Sequence, residues 1–334
     1  MKKIIFSFVV ALLATVSVNA QQIAVVKGGA TKLYNTLKDA FEGAEDGSVV
    51  YLPGGNFSID DSVKINKQLT IIGISHKTNS DNSDGCTIIN GNLFFVGGSS
   101  GSAIMGCYVV KNVNIGDANN AVNKVLIKYC NINSVQVTNS QCIDTEVNQS
   151  YIRGTSNLGK ANCKITNSII HSLKNIVSGL INHNIIVSYC SVMRWGSSIY
   201  TDEYAFADVS GSTITNNFIL NGQKMNRGEG NVVSNNCRGK DSWGTNAILL
   251  DDGKGWNDVF YVNNGVSTTS DYHLKDKWGK DAATDGTDIG IYGGTGFSDG
   301  ALPPIPYINE CKVDEQTDAE GKLNIRIKVK AVTE

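Results

Sequence analysis

Proline is scarce in this sequence, with 4 residues against 35 glycines. That balance favours many tight turns and argues against extended proline-rich linkers. Long hydrophobic runs are also missing after residue 20, since no later segment reaches the about eighteen apolar residues that a membrane-spanning helix needs. Charge of one sign is missing too: the net charge is -2, which gives no basic surface to attract nucleic acid or an anionic membrane. We therefore expect no nucleic-acid partner and no membrane span in the mature chain.

The first twenty residues have a different composition from the rest. Lys2 and Lys3 precede an apolar run from Ile4 to Val16, and Ala20 stands as a small residue before a cleavage point. This pattern predicts a signal peptide over residues 1–20, with an anchored N-terminal helix as the alternative. The protein is then exported, and it is periplasmic, at the outer-envelope surface or secreted.

A short motif recurs about every twenty residues, with insertions of variable length, as in solenoid proteins. Each six-residue window begins with Ile or Val, carries a small residue in fourth place, and in all but the last ends with Ile or Val. The windows begin at Ile104, Ile127, Val147, Ile165, Val187, Ile214 and Val233. Short β-branched runs separated by Asn, Gly and Ser favour strands over helices.

The fourth column of the repeat holds Cys107, Cys130, Ser150, Ser168, Cys190, Asn217 and Asn236. Small residues that alternate in one column are expected inside a bend of a stacked coil, about 4.8 Å apart along the axis. We therefore expect the cysteines to be mostly unpaired packing residues, with Cys107 and Cys130 as the exception most open to pairing. No CxxC and no histidine at ligand spacing supports a metal site. Asn167, Asn216 and Asn235 fit turns, because asparagine tolerates the left-handed backbone.

The fold predicted by this repeat is all-β, a single-stranded parallel β-helix. The run LKDAFEGAEDGSVVYLPGGNFSI from Leu37, followed by KINKQLTIIG from Lys64, resembles the first coil of right-handed parallel β-helix proteins of the pectate-lyase-like superfamily. The resemblance implies an N-terminal helical cap, and Leu33, Leu37, Ala40, Phe41 and Ala44 do fall on one helical face. Asp46 and Gly47 are expected to end that helix. The resemblance specifies the fold better than the function, because this solenoid hosts several activities.

Two segments near the C-terminus complete the predicted architecture. The stretch Asp271 to Gly294 resembles the closing segment of exported β-helix proteins, and we expect its glycine pairs and Tyr292 to close the last coil. Asp285 and Asp288 suit corners that bond backbone amides better than an EF-hand calcium loop. Residues 309–334 contain alternating Leu323, Ile325, Ile327 and Val329, which predict one amphipathic strand covering an edge of the coil. The β-helix domain then spans residues 21–308 and the strand extension 309–334.

The motifs of related enzymes are missing or out of place. Pectate lyases of the superfamily carry an RxPxxR pattern, which this chain lacks. Galacturonan hydrolases carry NTD, DD, GHG and RIK segments in order, whereas here Asp251 and Asp252 stand without NTD or GHG. No catalytic residue is assigned, and whether the protein is an enzyme stays open, with lyase or glycoside hydrolase chemistry as the form it would take. No cofactor is assigned either, and no motif supports calcium.

One region departs from the plain repeat. The long interval between Val187 and Ile214 adds a loop, and the next coils carry further insertions rich in tryptophan, arginine and acid. An aromatic platform with charged hydrogen-bonding groups suits a sugar ring, although packing tryptophans with solvated charges are the alternative. The candidate ligand-binding residues are Arg194, Trp195, Tyr200, Asp202, Glu203, Lys224, Arg227, Glu229, Trp243, Asp251, Asp252 and Trp256.

Two functions of different classes follow from these observations. The first is an exported monomer that binds, or less readily cleaves, a polysaccharide in a groove built by the insertions. The second is a non-enzymatic structural or adhesive protein of the cell envelope, whose coil serves as a stiff spacer.

Overall fold

The computed structural model describes residues 22–77, 85–159, 162–194, 200–221, 224–239, 242–275, 277–300, 302–303, 306–313, 316, 321–322 and 325–330. The predicted signal peptide lies outside these residues. The chain forms a parallel β-helix in which successive coils stack in register, so the predicted fold class is confirmed. Among the helices of the described ranges, none is long and apolar enough to cross a membrane.

Each coil contributes strands to three faces. Face 1 is an eleven-stranded sheet. Its strands are β1 (Ile23–Lys27), β2 (Ala30–Tyr34), β3 (Ser48–Tyr51), β5 (Leu69–Ile72), β8 (Ala103–Met105), β11 (Leu126–Lys128), β14 (Glu146–Asn148), β16 (Lys164–Thr166), β18 (Leu180–Asn182), β22 (Thr213–Thr215) and β25 (Val232–Ser234). Only β1 pairs antiparallel, with β2 and β3, at the N-terminal end.

Face 2 follows face 1 across a sharp corner. Its strands are β4 (Gly55–Ser58), β6 (Thr87–Asn90), β9 (Tyr108–Val109), β12 (Asn131–Ile132), β15 (Tyr151–Asn157), β17 (Ile169–Val177), β19 (Ile185–Ile186), β23 (Phe218–Ile219), β26 (Cys237–Arg238) and β27 (Ile248–Leu249). Face 3 contains β7 (Leu93–Phe95), β10 (Val113–Ile115), β13 (Val135–Val137), the second halves of β15 and β17, β21 (Tyr200–Ser210) and β24 (Lys224–Asn226).

The windows found in the sequence correspond to the passage from face 1 to face 2, with one exception. Ile165 pairs with Ile181, and Ile181 pairs with Ile214. The window placed at Val187 is therefore wrong, and the repeating unit of this coil begins at Ile181. The error has a physical origin: Cys190 begins strand β20 (Cys190–Arg194), an inserted strand that pairs antiparallel with β21 and only imitates the repeat.

The fourth column of the repeat forms a hydrogen-bonded ladder inside the coil. The backbone N–H of Ser150 donates to the hydroxyl of Ser168 over 3.1 Å, and that of Ser168 donates to Oδ1 of Asn184 over 3.0 Å. The ladder continues from Asn184 to Asn217 and from Asn217 to Asn236, over 2.9 and 3.0 Å. Small residues do fill this bend as predicted, with Asn184 in the place assigned to Cys190.

The third column of the repeat forms the corner itself. Its members all have positive φ, between 46° and 64°, which closes a tight bend between face 1 and face 2. They are Gly106, Tyr129, Gln149, Asn167, His183, Asn216 and Asn235, hereafter the left-handed column. The prediction for the three asparagines is confirmed.

The free cysteines are Cys86, Cys107, Cys130, Cys142, Cys163, Cys190 and Cys237. Cys107 and Cys130 are both fully buried and stay unbonded to each other, so the predicted packing role is confirmed and the suggested pairing is not found. Burial raises the pKa of the Cys130 thiol to about 12. Burial likewise raises the pKa of the Cys107 thiol, so these two thiols stay protonated and act as small apolar groups.

The N-terminal end carries helix α1 (Leu37–Gly43), with Thr36 as its N-cap. Leu37, Ala40 and Phe41 are buried in the main hydrophobic core, together with Ala44. The predicted cap is confirmed but is shorter than expected. Leu33 lies in β2 with its side chain 58% exposed, because the chain needs an antiparallel hairpin there before the helix can turn onto the coil.

A C-terminal segment, residues 281–299 and hereafter the strap, lies lengthwise along the left-handed column. Asn235 bonds Ala282, Asn216 bonds Thr284 and His183 bonds Asp285. Further along, Asn167 and Gln149 bond the strap at Thr295 and Ser298. The strap thus runs back toward the N-terminal end across five coils. The expectation that it closes the last coil is corrected: its glycines let it follow the side of the coil, and Gly293 and Gly294 pack directly on the His183 ring.

The strap also covers an apolar strip on the outside of face 2. Tyr151, Ile169, Ile185 and Phe218 point outward from that face and are buried in a second hydrophobic cluster. Helix α2 (Trp256–Val259) and strands β28 (Phe260–Val262) and β29 (Asp271–Leu274) complete this cluster. The outer side of face 2 is therefore packed over these coils.

The tail forms a hairpin of its own. Strand β30 (Tyr307–Val313) pairs antiparallel with β31 (Ile325–Lys330) in a separate two-stranded sheet. A strand at the predicted place is confirmed, but Ile325, Ile327 and Val329 are 58%, 55% and 61% exposed. The predicted role of this strand in covering a coil edge is therefore wrong, because its backbone partner is another tail strand.

Candidate functional site

The first insertion of the sequence-predicted site is a β-hairpin that leaves the coil between face 2 and face 3. Strand β20 follows β19 on face 2, and β21 returns onto face 3 beside β17. In the hairpin Arg194 pairs with Tyr200, Val192 with Asp202 and Ser191 with Glu203. Trp195 lies outside the described residues.

Lys224, Arg227 and Glu229 lie beside the base of this hairpin. Lys224 pairs with Tyr204 in the parallel ladder, and its ammonium lies 5.7 Å from the tyrosine ring centre. Arg227 forms a two-pronged ion pair with Asp208, whose hydrogen bonds raise the pKa of the guanidinium. Glu229 is exposed. The structure therefore brings these side chains to the hairpin, where Arg227 is already occupied by a carboxylate.

The two described tryptophans of the predicted site lie apart. Trp243 packs against the main core, with its ring 5.7 Å from that of Phe206. Trp256 belongs to the second cluster, stacks on Phe260 at 6.0 Å and donates its Nε1–H to the Leu220 carbonyl over 2.9 Å. Both rings are partly buried and take part in packing, and Trp243 also lines a small open pocket. Between them no shared aromatic platform is formed.

Asp251 and Asp252 neither join an aromatic platform nor form a pair of cooperating carboxyl groups. Asp251 lies 3.1 Å from the ammonium of Lys277, in an exposed ion pair, and Asp252 is exposed. Within the described ranges no group of three or more His, Cys, Asp or Glu side chains could hold a metal ion. Asp285 and Asp288 accept bonds from the backbone N–H groups of Thr287 and Asp281 instead. That local role matches the corner-forming interpretation of these aspartates.

A groove that sequence reasoning missed lies on face 1. It is open, has a volume of about 500 Å³ and crosses the outward sides of three consecutive coils. Strand pairing places Glu146 between Leu126 and Lys164, and Asn148 beside Lys128. Its lining residues are Lys124, Val125, Leu126, Lys128, Asp144, Glu146, Asn148, Gln149, Asn162, Lys164 and Thr295.

Two corners of the fold form the walls of this groove. One wall is a turn column in which Lys124, Asp144 and Asn162 all have positive φ, between 54° and 60°. The other wall includes Thr295 of the strap, whose hydroxyl bonds Oδ1 of Asn167 over 3.0 Å. Repeating backbone geometry therefore repeats the polar side chains at the coil spacing, about 4.8 Å. The signal available in the sequence was the polar residues beside the central Ile or Val in LIK, EVN and KIT, where only Leu126 is apolar.

Comparison with known proteins adds no family. The chain matches no protein-family model, no curated protein and no solved structure. The class that fold and site define is therefore a parallel β-helix with a polar groove on one face, and its function must be argued from the groove.

Proposed function

We propose that this protein is an exported β-helix that binds an extended polysaccharide in the groove on face 1. The observation that carries the proposal is the array of lysine, carboxylate and amide side chains that crosses three coils in one open groove. A polysaccharide presents hydroxyl groups, or carboxylates, at a regular repeat and so matches a regular array of donors and acceptors. A rigid solenoid holds that array in place, which lowers the entropy lost on binding.

Binding is favoured over cleavage in this proposal. Glu146 and Asp144 stand between Lys124, Lys128 and Lys164 in the groove, so ligand hydroxyls meet charged hydrogen-bonding groups along its length. Glycoside hydrolysis needs two carboxyl groups set across one bond, with a raised pKa on the acid. In this groove the two carboxylates, Asp144 and Glu146, lie two residues apart on the same coil.

The proposal extends to membership of the pectate-lyase-like superfamily and to export. Both rest on the first coil with its cap helix and on the signal-peptide pattern of residues 1–20. A structural or adhesive protein is the second candidate, and the strap favours it, because side-chain bonds to five coils stiffen the solenoid.

The test is a binding assay on the mature protein with a panel of acidic and neutral polysaccharides. Calorimetry and the shift of Tm measure binding, while new unsaturated or reducing ends, with calcium or with chelator, measure cleavage. The double variant Asn148→Ala/Lys164→Ala is expected to weaken binding at least tenfold. Lys174→Ala, on face 3, is the matched control and should bind as the parent does.

Each outcome separates the candidates. Equal affinity of the groove variant and the control would overturn the assignment to face 1. Absence of binding to every polysaccharide would favour the structural role. Release of products would replace the binding function with an enzymatic one.

A further inference from the structure

A second polar and aromatic cluster lies on the other side of the strap, away from the groove. The imidazole of His273 on β29 stacks on the ring of Tyr292 in the strap, with 3.7 Å between ring centres and 18° between planes. The edge of Phe297 meets the Tyr292 ring at 6.3 Å. These rings come from two distant segments, and the His273 side chain is still 51% exposed.

A carboxylate holds each of the two stacked rings. Asp271 Oδ1 lies 2.7 Å from Nδ1 of His273 and also accepts from the His273 backbone N–H over 3.0 Å. The hydroxyl of Tyr292 donates to Asp299 Oδ1 over 2.7 Å. The pair is therefore fixed in orientation before any ligand arrives, which reduces the cost of ordering it on binding.

The charge states agree with this geometry. Burial and the hydrogen bond to Asp299 raise the pKa of the Tyr292 hydroxyl well above its usual value, so it stays a donor. Burial acts to raise the pKa of Asp271, but the hydrogen bonds from His273 outweigh it and lower that pKa. Asp271 therefore remains an acceptor.

Three polar atoms of the cluster have no partner within the described part of the chain. They are Nε2 of His273 and the second carboxylate oxygens, Oδ2 of Asp271 and Oδ2 of Asp299. Sugar hydroxyls donate to carboxylates, and the C–H face of a sugar ring packs on a flat ring. Two carboxylates with one half-buried lysine nearby, Lys77, disfavour an acidic sugar by like-charge repulsion.

We propose that His273 and Tyr292, held by Asp271 and Asp299, form a binding site for a neutral sugar unit on the outer side of the strap. The sugar packs on the exposed imidazole face, and its hydroxyls bond the two free carboxylate oxygens and Nε2 of His273. This site is separate from the groove on face 1, whose lining includes none of these four residues. The proposal of this sugar site does not depend on the function proposed for that groove.

Calorimetry and affinity electrophoresis test this site with soluble β-glucan, xylan and mannan, with polygalacturonate as the acidic comparison. His273→Ala and Asp299→Asn are expected to weaken binding of the preferred neutral glycan at least tenfold. Tyr261→Ala is the matched control, because Tyr261 on the neighbouring strand is 58% exposed but is not held by a carboxylate. Circular dichroism confirms folding of each variant.

The result that supports the site is loss of neutral-glycan binding in His273→Ala, with Tyr261→Ala and Asn148→Ala/Lys164→Ala unchanged. Three results overturn it: no neutral glycan binds, Tyr261→Ala weakens binding as much as His273→Ala, or only the groove variant loses binding. The last result would leave the groove proposal standing.

Discussion

The buried imidazole of His183 lies with its Nε2 3.1 Å from Oδ2 of Asp285, a residue 102 positions further along the chain. His183 belongs to the left-handed column and is 1% exposed, whereas Asp285 belongs to the strap. The contact shows how the strap is held. Each bond joins a side chain of the column to a polar group of the strap, so the strap depends on the residue type at each corner.

Asn167→Gly tests the hold of the strap. Asn167 donates to the carbonyls of Ile291 and Gly293 over 2.9 and 2.7 Å and accepts from Thr295 over 3.0 Å. Glycine keeps the positive φ but removes these bonds, so we expect the free energy of unfolding to fall by about 2 kcal/mol. Urea unfolding with an unchanged m-value measures it.

Asn162→Gly is the matched control for that variant. Asn162 also has positive φ, at 54°, but it is exposed and outside the strap contacts. Its replacement should change stability by less than about 0.5 kcal/mol. Equal losses of stability in the two variants would show that the change to glycine at a positive-φ position, rather than the loss of the strap bonds, determines the change in unfolding free energy.

The stability of the protein should decline between pH 6.5 and 4 because of His76. Burial lowers the pKa of His76 to about 4, against the opposing hydrogen bond to the Tyr129 carbonyl. Below pH 6.5 the unfolded chain takes up a proton that the folded chain refuses, so folding weakens as the pH falls. The loss approaches about 3 kcal/mol and levels off below pH 4.

His76→Asn should remove this dependence, because an amide side chain does not titrate. The amide still offers a donor to the Tyr129 carbonyl, which lies 2.8 Å from the imidazole Nδ1 in the parent protein. Urea midpoints measured at intervals from pH 7 to 4 give the comparison. A parent curve that stays flat over this range would contradict the assignment.

Trp256→Ala should destabilise the protein without affecting glycan binding in the groove. The indole packs among Phe218, Phe260 and the Leu220 carbonyl, so its removal leaves a cavity and should cost about 3 kcal/mol. Trp256→Phe keeps the stacking and should cost less. Thermal unfolding and calorimetry with the preferred polysaccharide are the two measurements. Weaker polysaccharide binding by a Trp256 variant that remains fully folded would show that Trp256 belongs to the ligand-binding site.

Much of the fold could be predicted from local pattern, because each coil repeats the same physical requirements. A β-branched residue points inward, an asparagine or glycine turns the corner, and a small residue fits the bend. Asn184 shows the limit of that approach: the preceding repeat, from Ile165 to Ile181, is the shortest, and Asn184 is followed by the inserted strand at Cys190, which imitates the motif. Spacing alone could not choose between the two.

The candidate sites were harder to predict, for reasons that can be traced to particular residues. The groove arises from outward side chains such as Glu146 and Lys164, which become neighbours only when the coils are stacked in register. The His273 and Tyr292 pair depends on where the strap lies. The tryptophans attracted attention through composition, although Trp243 and Trp256 serve packing.

The strap gives the solenoid a fixed length. A β-helix can in principle gain or lose one coil with little penalty, since each coil contacts only its neighbours. Here Ala282, Thr284, Asp285, Thr295 and Ser298 must meet five consecutive corners in order. A duplicated or deleted coil would put every later pair out of step by about 4.8 Å. The strap therefore fixes the number of coils between its first and last contacts. Variation in coil number is confined to the part of the solenoid that the strap does not contact.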